Sequence, residues 1–371
     1  MTKKTLFLTL STFSSVGGVQ SVCRSVCKAL SEGNPGFKMI SLCDNTSDTR
    51  YLQPCQFRGF GDNKRLCKLR FIYAAVGSGQ KSQFVIISHI HLIPVALLIK
   101  LLNPDCRLVL LAHGTEVWRD LTFYQKWFIS KYTRIVSVSR FTSKILRKKH
   151  RIDCPVVTIN NCLDPHFQLP QAFNKPQYLM ERYSVGSIQP VLLTVCRMER
   201  YEKAKGYDTV IELVSALAQS RSPLRYLLCG PSSHKERERL QQKISHNGLQ
   251  EQVILTGHIP ETELRDHFLL ADIFIMPSSK EGFGLVFIEA AACGCQVIAL
   301  NSCGSADALL DGAIGTLMEM TDMHQLMKAL NHALKNPYSE LRKREIQQNV
   351  SAHFAFQLYS TKLKEFLYAN T

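Results

Sequence analysis

The stretch EGFGLVFIEAAACGC, residues 281 to 295, holds two carboxylates in an otherwise apolar setting. Glu281 opens it beside a glycine-rich turn, and Glu289 stands among Leu285, Val286, Phe287, Ile288 and three alanines. The segment reads as a loop, SKEGFG, followed by a helix, LVFIEAAACG, that ends at Gly294. Gly282 and Gly284 let backbone approach a ligand closely, and the helix start offers amide hydrogens and a positive dipole end to an anion. Were the intervening residues fully helical, the two carboxylates would stand ~12 Å apart by rise alone. A glycosidase pair stands roughly 5–9.5 Å apart across one bond. The wider spacing suits two grips on one elongated ligand with a phosphate between them; the alternative is a dipole-stabilised Glu281 and a solvated Glu289.

Other residues with chemistry available cluster at expected strand ends. In CRMERYEKAKG, Arg197 follows a strand and Lys205 precedes Gly206, with Lys203 as a competitor. Cations there would suit an anionic ligand group. SVGGVQ places Gly17 and Gly18 at the opening of the first helix, without the Gly-x-Gly-x-x-Gly dinucleotide fingerprint. LAHGTE puts His113 after an apolar strand, with Glu116 just beyond. His89 and His91 alternate as they would on one strand face, but no third metal ligand accompanies them.

The elements that must position these residues alternate throughout. TLFLTL, FVIISHI, CRLVLLAHG and RIVSVS are apolar strands, each followed by a helical stretch; after a proline-bearing linker near 165–188 the alternation resumes with PVLLTVCR, RYLLCG, QVILTGHI and DIFIMPS. Continuous apolar strands between helices predict parallel sheets covered on both faces. The expected fold class is α/β, with two Rossmann-like domains: residues 1–168, and residues 188–350. A final helix over about 353–371 is expected to pack back on the first. Ligands of such sheets bind outside the carboxyl ends of the strands.

These strings together resemble family 4 of the glycosyltransferases, the GT-B fold. EGFGLVFIEAAACGCQVIA is similar to that family's Glu-x7-Glu signature. LLTVCRMERYEKAKGYDTVIE, VILTGHIPETELRDHFLLADIFIMPSSKEGFG, IVSVSRFTSKIL, SVGGVQ and LAHGTE follow the family's order over most of residues 5–320. The resemblance implies two domains facing a cleft and a retaining, metal-independent transfer of sugar from a nucleotide diphosphate donor, UDP- or GDP-linked, to an acceptor hydroxyl. It implies that Glu289 holds the ribose, that Glu281 holds the transferred sugar, and that Gly282, Phe283, Gly284 and Leu285 meet sugar and diphosphate. Arg197 and Lys205 would bracket the diphosphate, Gly17 and Gly18 would lie near the donor, and His113 would contact the sugar near the reacting carbon. No cofactor and no metal site are expected. The chain departs from the family at Gly230-Pro231-Ser232 and at Asn160-Asn161-Cys162.

Composition bounds the rest. The 371 residues carry a formal net charge of +15. Residues 1–170 hold 24 Lys/Arg against 9 Asp/Glu, and the remainder holds 21 of each, so the excess belongs to the first half. KRLCKLR (64–70) and residues 131–151 concentrate it. This charge suits an anionic membrane surface, where a glycan or lipid-linked acceptor of surface polysaccharide or lipopolysaccharide assembly would reside. A nucleic-acid partner is not expected, because aromatics do not interleave the basic segment. A sugar-nucleotide epimerase of the same fold is the enzymatic alternative. Thirteen cysteines, an odd number without Cys-x-x-Cys, read as buried thiols in a reducing compartment. No transmembrane helix is expected, and the protein is placed in the cytoplasm, peripheral to the membrane.

Overall fold

Short runs of Val, Ile, Leu and Phe bounded by glycine or polar turns form the strands, because side chains on both faces must be buried in a parallel sheet. The computed structural model describes residues 3–218, 224–319 and 322–368. In chain order the elements are β1 (Thr5–Thr9), α1 (Gly18–Ser31), β2 (Phe37–Ser41), β3 (Phe57–Gly59), α2 (Arg65–Gly79), β4 (Phe84–Ile87), α3 (Ile93–Leu102) and β5 (Arg107–Ala112). They continue with α4 (Thr115–Trp118), α5 (Phe123–Tyr132), β6 (Thr133–Ser137), α6 (Arg140–Lys144) and β7 (Val156–Thr158). All seven strands run parallel in the order β3-β2-β1-β4-β5-β6-β7.

A second sheet follows: α7 (Gln177–Arg182), β8 (Val191–Val195), α8 (Tyr207–Ala218), β9 (Arg225–Cys229), α9 (His234–His246), β10 (Val253–Gly257), α10 (Glu261–Leu270) and β11 (Ile273–Met276). Then come α11 (Leu285–Ala292), β12 (Gln296–Leu300), α12 (Ser305–Ala308), β13 (Thr316–Met318), α13 (Met323–Lys335), α14 (Glu340–Phe354) and α15 (Phe356–Tyr368). Its six parallel strands are ordered β10-β9-β8-β11-β12-β13.

The chain divides into two units, Met1–Phe167 with Phe354–Thr371, and Gln168–His353. In the first, α15 packs on α1 and buries Tyr359, Leu363 and Leu367. The expected end of that helix, residues 369–371, lies outside the described residues. In the second, the stretch expected to be a linker contains α7, which packs on α10 and buries Leu179. Lys175 also binds Asp272 at 2.6 Å, and Arg182 binds Glu263 at 2.6 Å. Three prolines hide this short helix from a periodicity argument.

Both sheets contain a point where the strand order reverses: between β1 and β4 in the first, and between β8 and β11 in the second. Loops leaving neighbouring strands in opposite directions open a crevice there. All thirteen cysteines are free thiols. Among the described residues no helix is long and apolar enough to cross a membrane.

Candidate functional site

In the second unit the loops that follow β8, β11 and β12 converge on Glu281. After β8 the chain makes a tight turn, Arg200–Lys205, and ends it on Gly206 with φ 81°. A Cβ at Gly206 would stand 2.6 Å from the Pro277 carbonyl oxygen, so only glycine lets this loop lie against the one after β11. The Ser279 amide donates to the Ala204 carbonyl at 2.8 Å and fastens the two loops together. This places the Lys205 Nζ at 2.7 Å from Glu281 Oε2. The Lys205 and Glu281 side chains are only 19% and 16% exposed. Burial acts to lower the Lys205 pKa, but the charge and hydrogen bond of Glu281 outweigh it, and the ammonium is held above its ordinary range. Lys203, the competitor, is exposed.

The third loop arrives after β12. The Gly304 amide donates to the Glu281 carbonyl at 2.8 Å, and the Glu281 amide donates to the Cys303 Sγ at 3.2 Å. A Cβ at Gly304 would collide with the Gly282 carbonyl. Sequence reasoning did not single out Cys303 or Gly304. A glycine at the carboxyl end of a strand, in NSCGS, was the available signal.

Gly284 opens α11 in the left-handed region at φ 94°, where a Cβ would strike the Phe287 ring. No side chain caps this helix, so its positive end faces the turn that carries Gly282 and the buried Phe283. Because residues 281–284 are not helical, the uniform helical rise used to space the two glutamates does not apply. Glu289 is half-buried on α11 between the fully buried Ile288 and Ala290. Arg197 is exposed two residues beyond β8. Gly230, after β9, adopts φ 135°, and a Cβ there would collide with the Cys196 carbonyl, so the ends of β8 and β9 also approach closely. Arg197, Lys205, Glu281, Gly282, Phe283, Gly284, Leu285 and Glu289 thus all belong to segments at the carboxyl edge of the second sheet.

In the first unit His113 follows β5 and is 8% exposed. Its Nε2 donates to the Ser88 carbonyl at 3.0 Å, while its buried Nδ1 has no hydrogen-bond partner. Burial drives its pKa down to about 4 against the opposing pull of the Ser88 carbonyl, so the ring is neutral at pH 7. Glu116, in the first turn of α4, accepts the His113 amide at 2.6 Å, and burial raises its pKa. Gly17 and Gly18 begin α1. Gly17 is extended, a backbone conformation any residue adopts, and a Cβ at Gly18 would meet nothing within 4 Å.

The loop ahead of those glycines is held by a residue that sequence reasoning missed. Asp44, fully buried after β2, accepts the amides of Thr12, Phe13 and Ser14 at 2.8, 2.9 and 2.7 Å. The Ser41 hydroxyl adds a fourth bond at 2.6 Å. A carboxylate spanning three successive amides replaces the anion that such a nest would otherwise attract. The partners lie about thirty positions away in sequence, which no local motif reports.

His89 and His91 do not share a strand face. β4 ends at Ile87, and His89 instead caps the turn Ile90–Leu92, its ring nitrogen accepting the His91 amide at 3.1 Å. The chain enters the turn Ile90–Leu92 directly after the strand, the Leu92 amide donating to the His89 carbonyl at 3.0 Å. His91 Nε2 lies 3.0 Å from the Arg119 guanidinium. Among the described residues no three His, Cys, Asp or Glu side chains are grouped as metal ligands.

Comparison with known proteins agrees with this architecture. Residues 16–167 match the family model described as Glycosyltransferase Family 4, and residues 189–350 match that described as Glycosyl transferases group 1. A GDP-mannose-dependent alpha-(1-6)-phosphatidylinositol monomannoside mannosyltransferase of Mycolicibacterium smegmatis is 29% identical over 241 residues, covering 62% of each chain. The chain spans 62%, 43% and 44% of the length of the first three curated relatives it matches. Anabaena HepE, solved with UDP and glucose, superposes with TM-score 0.78 at 16% identity, covering 98% of this chain and 99% of that one. The lipopolysaccharide outer core galactosyltransferase WaaB superposes with TM-score 0.72 at 14% identity, covering 99% of this chain and 100% of that one. At these identities the structures speak for the fold, GT-B, while the two family models between them account for most of the sequence. The chain belongs to family 4 of the glycosyltransferases.

Proposed function

We propose that the protein is a retaining, metal-independent glycosyltransferase. In this reading it moves a sugar from a UDP- or GDP-sugar to a hydroxyl of a glycan or lipid-linked acceptor, on the cytoplasmic side of a bacterial membrane, in surface polysaccharide or lipopolysaccharide assembly. The observation that carries the reading is the Lys205–Glu281 pair at the strand-order reversal of the second sheet, beside the uncapped start of α11. A departing nucleoside diphosphate needs positive charge already in place. Lys205, Arg197 and the helix terminus supply it without a metal ion. Glu281 orients the sugar hydroxyls and keeps Lys205 charged. Glu289 takes the ribose hydroxyls, for which a carboxylate is a strong acceptor. His113 offers a neutral ring to the transferred sugar. The mannosyltransferase relative and the lipopolysaccharide galactosyltransferase likeness support a membrane-associated acceptor.

Thermal shift of the full chain against UDP-glucose, GDP-mannose and ADP-glucose, with and without EDTA, tests the donor assignment. One donor should stabilise the fold by about 2.7 kcal/mol at a hundredfold excess over its Kd, unchanged by EDTA. No shift with any of them would overturn the assignment, and conversion of donor to an epimer without acceptor would replace transfer by epimerisation.

A further inference from the structure

The first unit carries a face on which none of the proposed donor residues lies. Helices α2, α3 and α5 lie side by side over one face of its sheet, α2 against α3 and α3 against α5. Their inner sides contribute Phe71, Ala75, Ala96, Ile99, Phe128 and Ile129 to one core. Their outer sides carry exposed apolar side chains among basic ones, where a water-facing helix is ordinarily polar throughout. On α2, Leu66, Leu69 and Tyr73 are 58%, 65% and 83% exposed, spaced three and four residues apart and therefore in one stripe. On α3, Leu98, Leu101 and Leu102 are exposed, and on α5 so are Phe123 and Trp127. Exposed apolar residues scattered singly need no explanation, but a patch spread over three adjoining helices marks an interaction surface.

The charge on this face has one sign. None of the three helices contains Asp or Glu, and no acidic residue occurs between Asn63 and Pro104. Lys64, Arg65, Lys68 and Arg70 surround the α2 stripe, and Lys126 and Lys131 flank the α5 aromatics. The Lys131 ammonium lies 5.6 Å from the Trp127 ring centroid. Acidic residues occur only in the bordering loops; Asp62 there is bound to Lys64 at 2.9 Å, and Asp120 to Lys149 at 3.0 Å. Beside α2 a groove of about 670 Å³ is lined by Arg58, Phe60, Leu69, Arg70 and Tyr73 among others. Two guanidinium groups between aromatic and aliphatic walls match a phosphate carried on an apolar tail.

We propose that the α2–α3–α5 face docks on an anionic phospholipid bilayer. The apolar stripe enters the interface, the cations contact headgroups, and the Arg58–Arg70 groove seats one headgroup phosphate. Amphipathic aromatic and aliphatic side chains ringed by Lys and Arg favour that boundary, and the basic ring selects an anionic leaflet. This deepens the reading of a lipid-linked acceptor and rests on it, but it uses residues distinct from the donor segments.

The test is flotation of the full chain with phosphatidylglycerol–phosphatidylcholine vesicles and with pure phosphatidylcholine vesicles, at low and high salt. Wild type should float with the anionic vesicles and be partly released by salt. Leu69→Glu/Tyr73→Glu and Phe123→Glu/Trp127→Glu should each weaken partitioning by about tenfold or more, and Arg58→Ala/Arg70→Ala should weaken it on anionic vesicles alone. The altered side chains are exposed, so each variant should keep the wild-type Tm and any donor-induced thermal shift. Equal flotation of the variants, or equal binding to neutral vesicles, overturns the proposal. So does a wild-type dimer in sedimentation that Leu69→Glu/Tyr73→Glu dissociates without any vesicle binding, which would assign the face to a second copy. Loss of the donor shift with flotation intact would instead remove the transferase reading and leave the docking surface standing.

Discussion

Lys205 and Glu281 are each other's main partner, so neither acts independently. Replacing Lys205 by Met leaves a mostly buried carboxylate unpaired and should cost the second unit about 1–3 kcal/mol. Glu281→Ala should mainly reduce turnover. In a double-mutant cycle on donor binding the two substitutions should be markedly non-additive, because one change already removes the shared contact; additive effects would separate their roles. Glu289→Ala should weaken donor binding by about tenfold or more through loss of hydrogen bonds to a charged group, read as a smaller donor-induced thermal shift. His113 provides a pH signature. Its folded pKa of about 4 lies below the ordinary value of 6.5, and burial lowers that of His89 likewise. Between those limits the unfolded chain binds more protons than the folded one. The stability is therefore complete above pH 6.5 and is lost as pH falls toward 4. Tm measured over pH 7 to 4.5 should decline, and His113→Gln should flatten part of that decline.

At the scale of elements, the segments that carry the chemistry are loops fastened to one another rather than to their own helices. The loop after β1 depends on Asp44, the only side chain described as accepting amides from three successive residues there. Asp44→Asn keeps the volume but turns one acceptor oxygen into a donor facing donors. It should lower the Tm of the first unit by several degrees, for a cost of about 1–3 kcal/mol, while leaving donor-induced stabilisation of the second unit in place. Asp44→Glu, which keeps the charge, should fail to restore it if register with the three amides is what matters. In the second unit, Gly206 and Gly304 serve the same purpose sterically, letting three loops meet at Glu281.

At the scale of the whole molecule, the last helix belongs to the first unit although the chain reaches it through the second. Tyr359, Leu363 and Leu367 are buried there, each contributing about 1.5–3 kcal/mol as an upper estimate. Their sum is comparable to the total stability of an ordinary domain. Deleting residues 356–371 should therefore abolish the first unit's cooperative melting transition while the second retains its own; calorimetry would separate the two. The charge excess is likewise confined to one half of the sequence, so salt should change surface association far more than donor binding.

Local strings marked the parallel strands and the glycine turn before α11, and drew attention to Glu281, Glu289 and Arg197; His113 was singled out by the family resemblance. Apolar runs, helical spacing and strand-end glycines are properties of neighbours in sequence, set by backbone sterics and by the need to bury both sheet faces. Which of Lys203 and Lys205 pairs with Glu281 was not local. The two are equivalent by composition, and only the order of β8 beside β11 brings residues 76 positions apart into contact. Asp44 and Cys303 were invisible for the same reason: their partners arrive from other strands. On α2 the stripe Leu66–Leu69–Tyr73 and the set Phe71–Ala74–Ala75 are both apolar at helical spacing. Sequence periodicity cannot say which is the core. Tertiary structure buries the second set and leaves the first facing outward, because burial depends on what packs against a helix and not on what the helix contains.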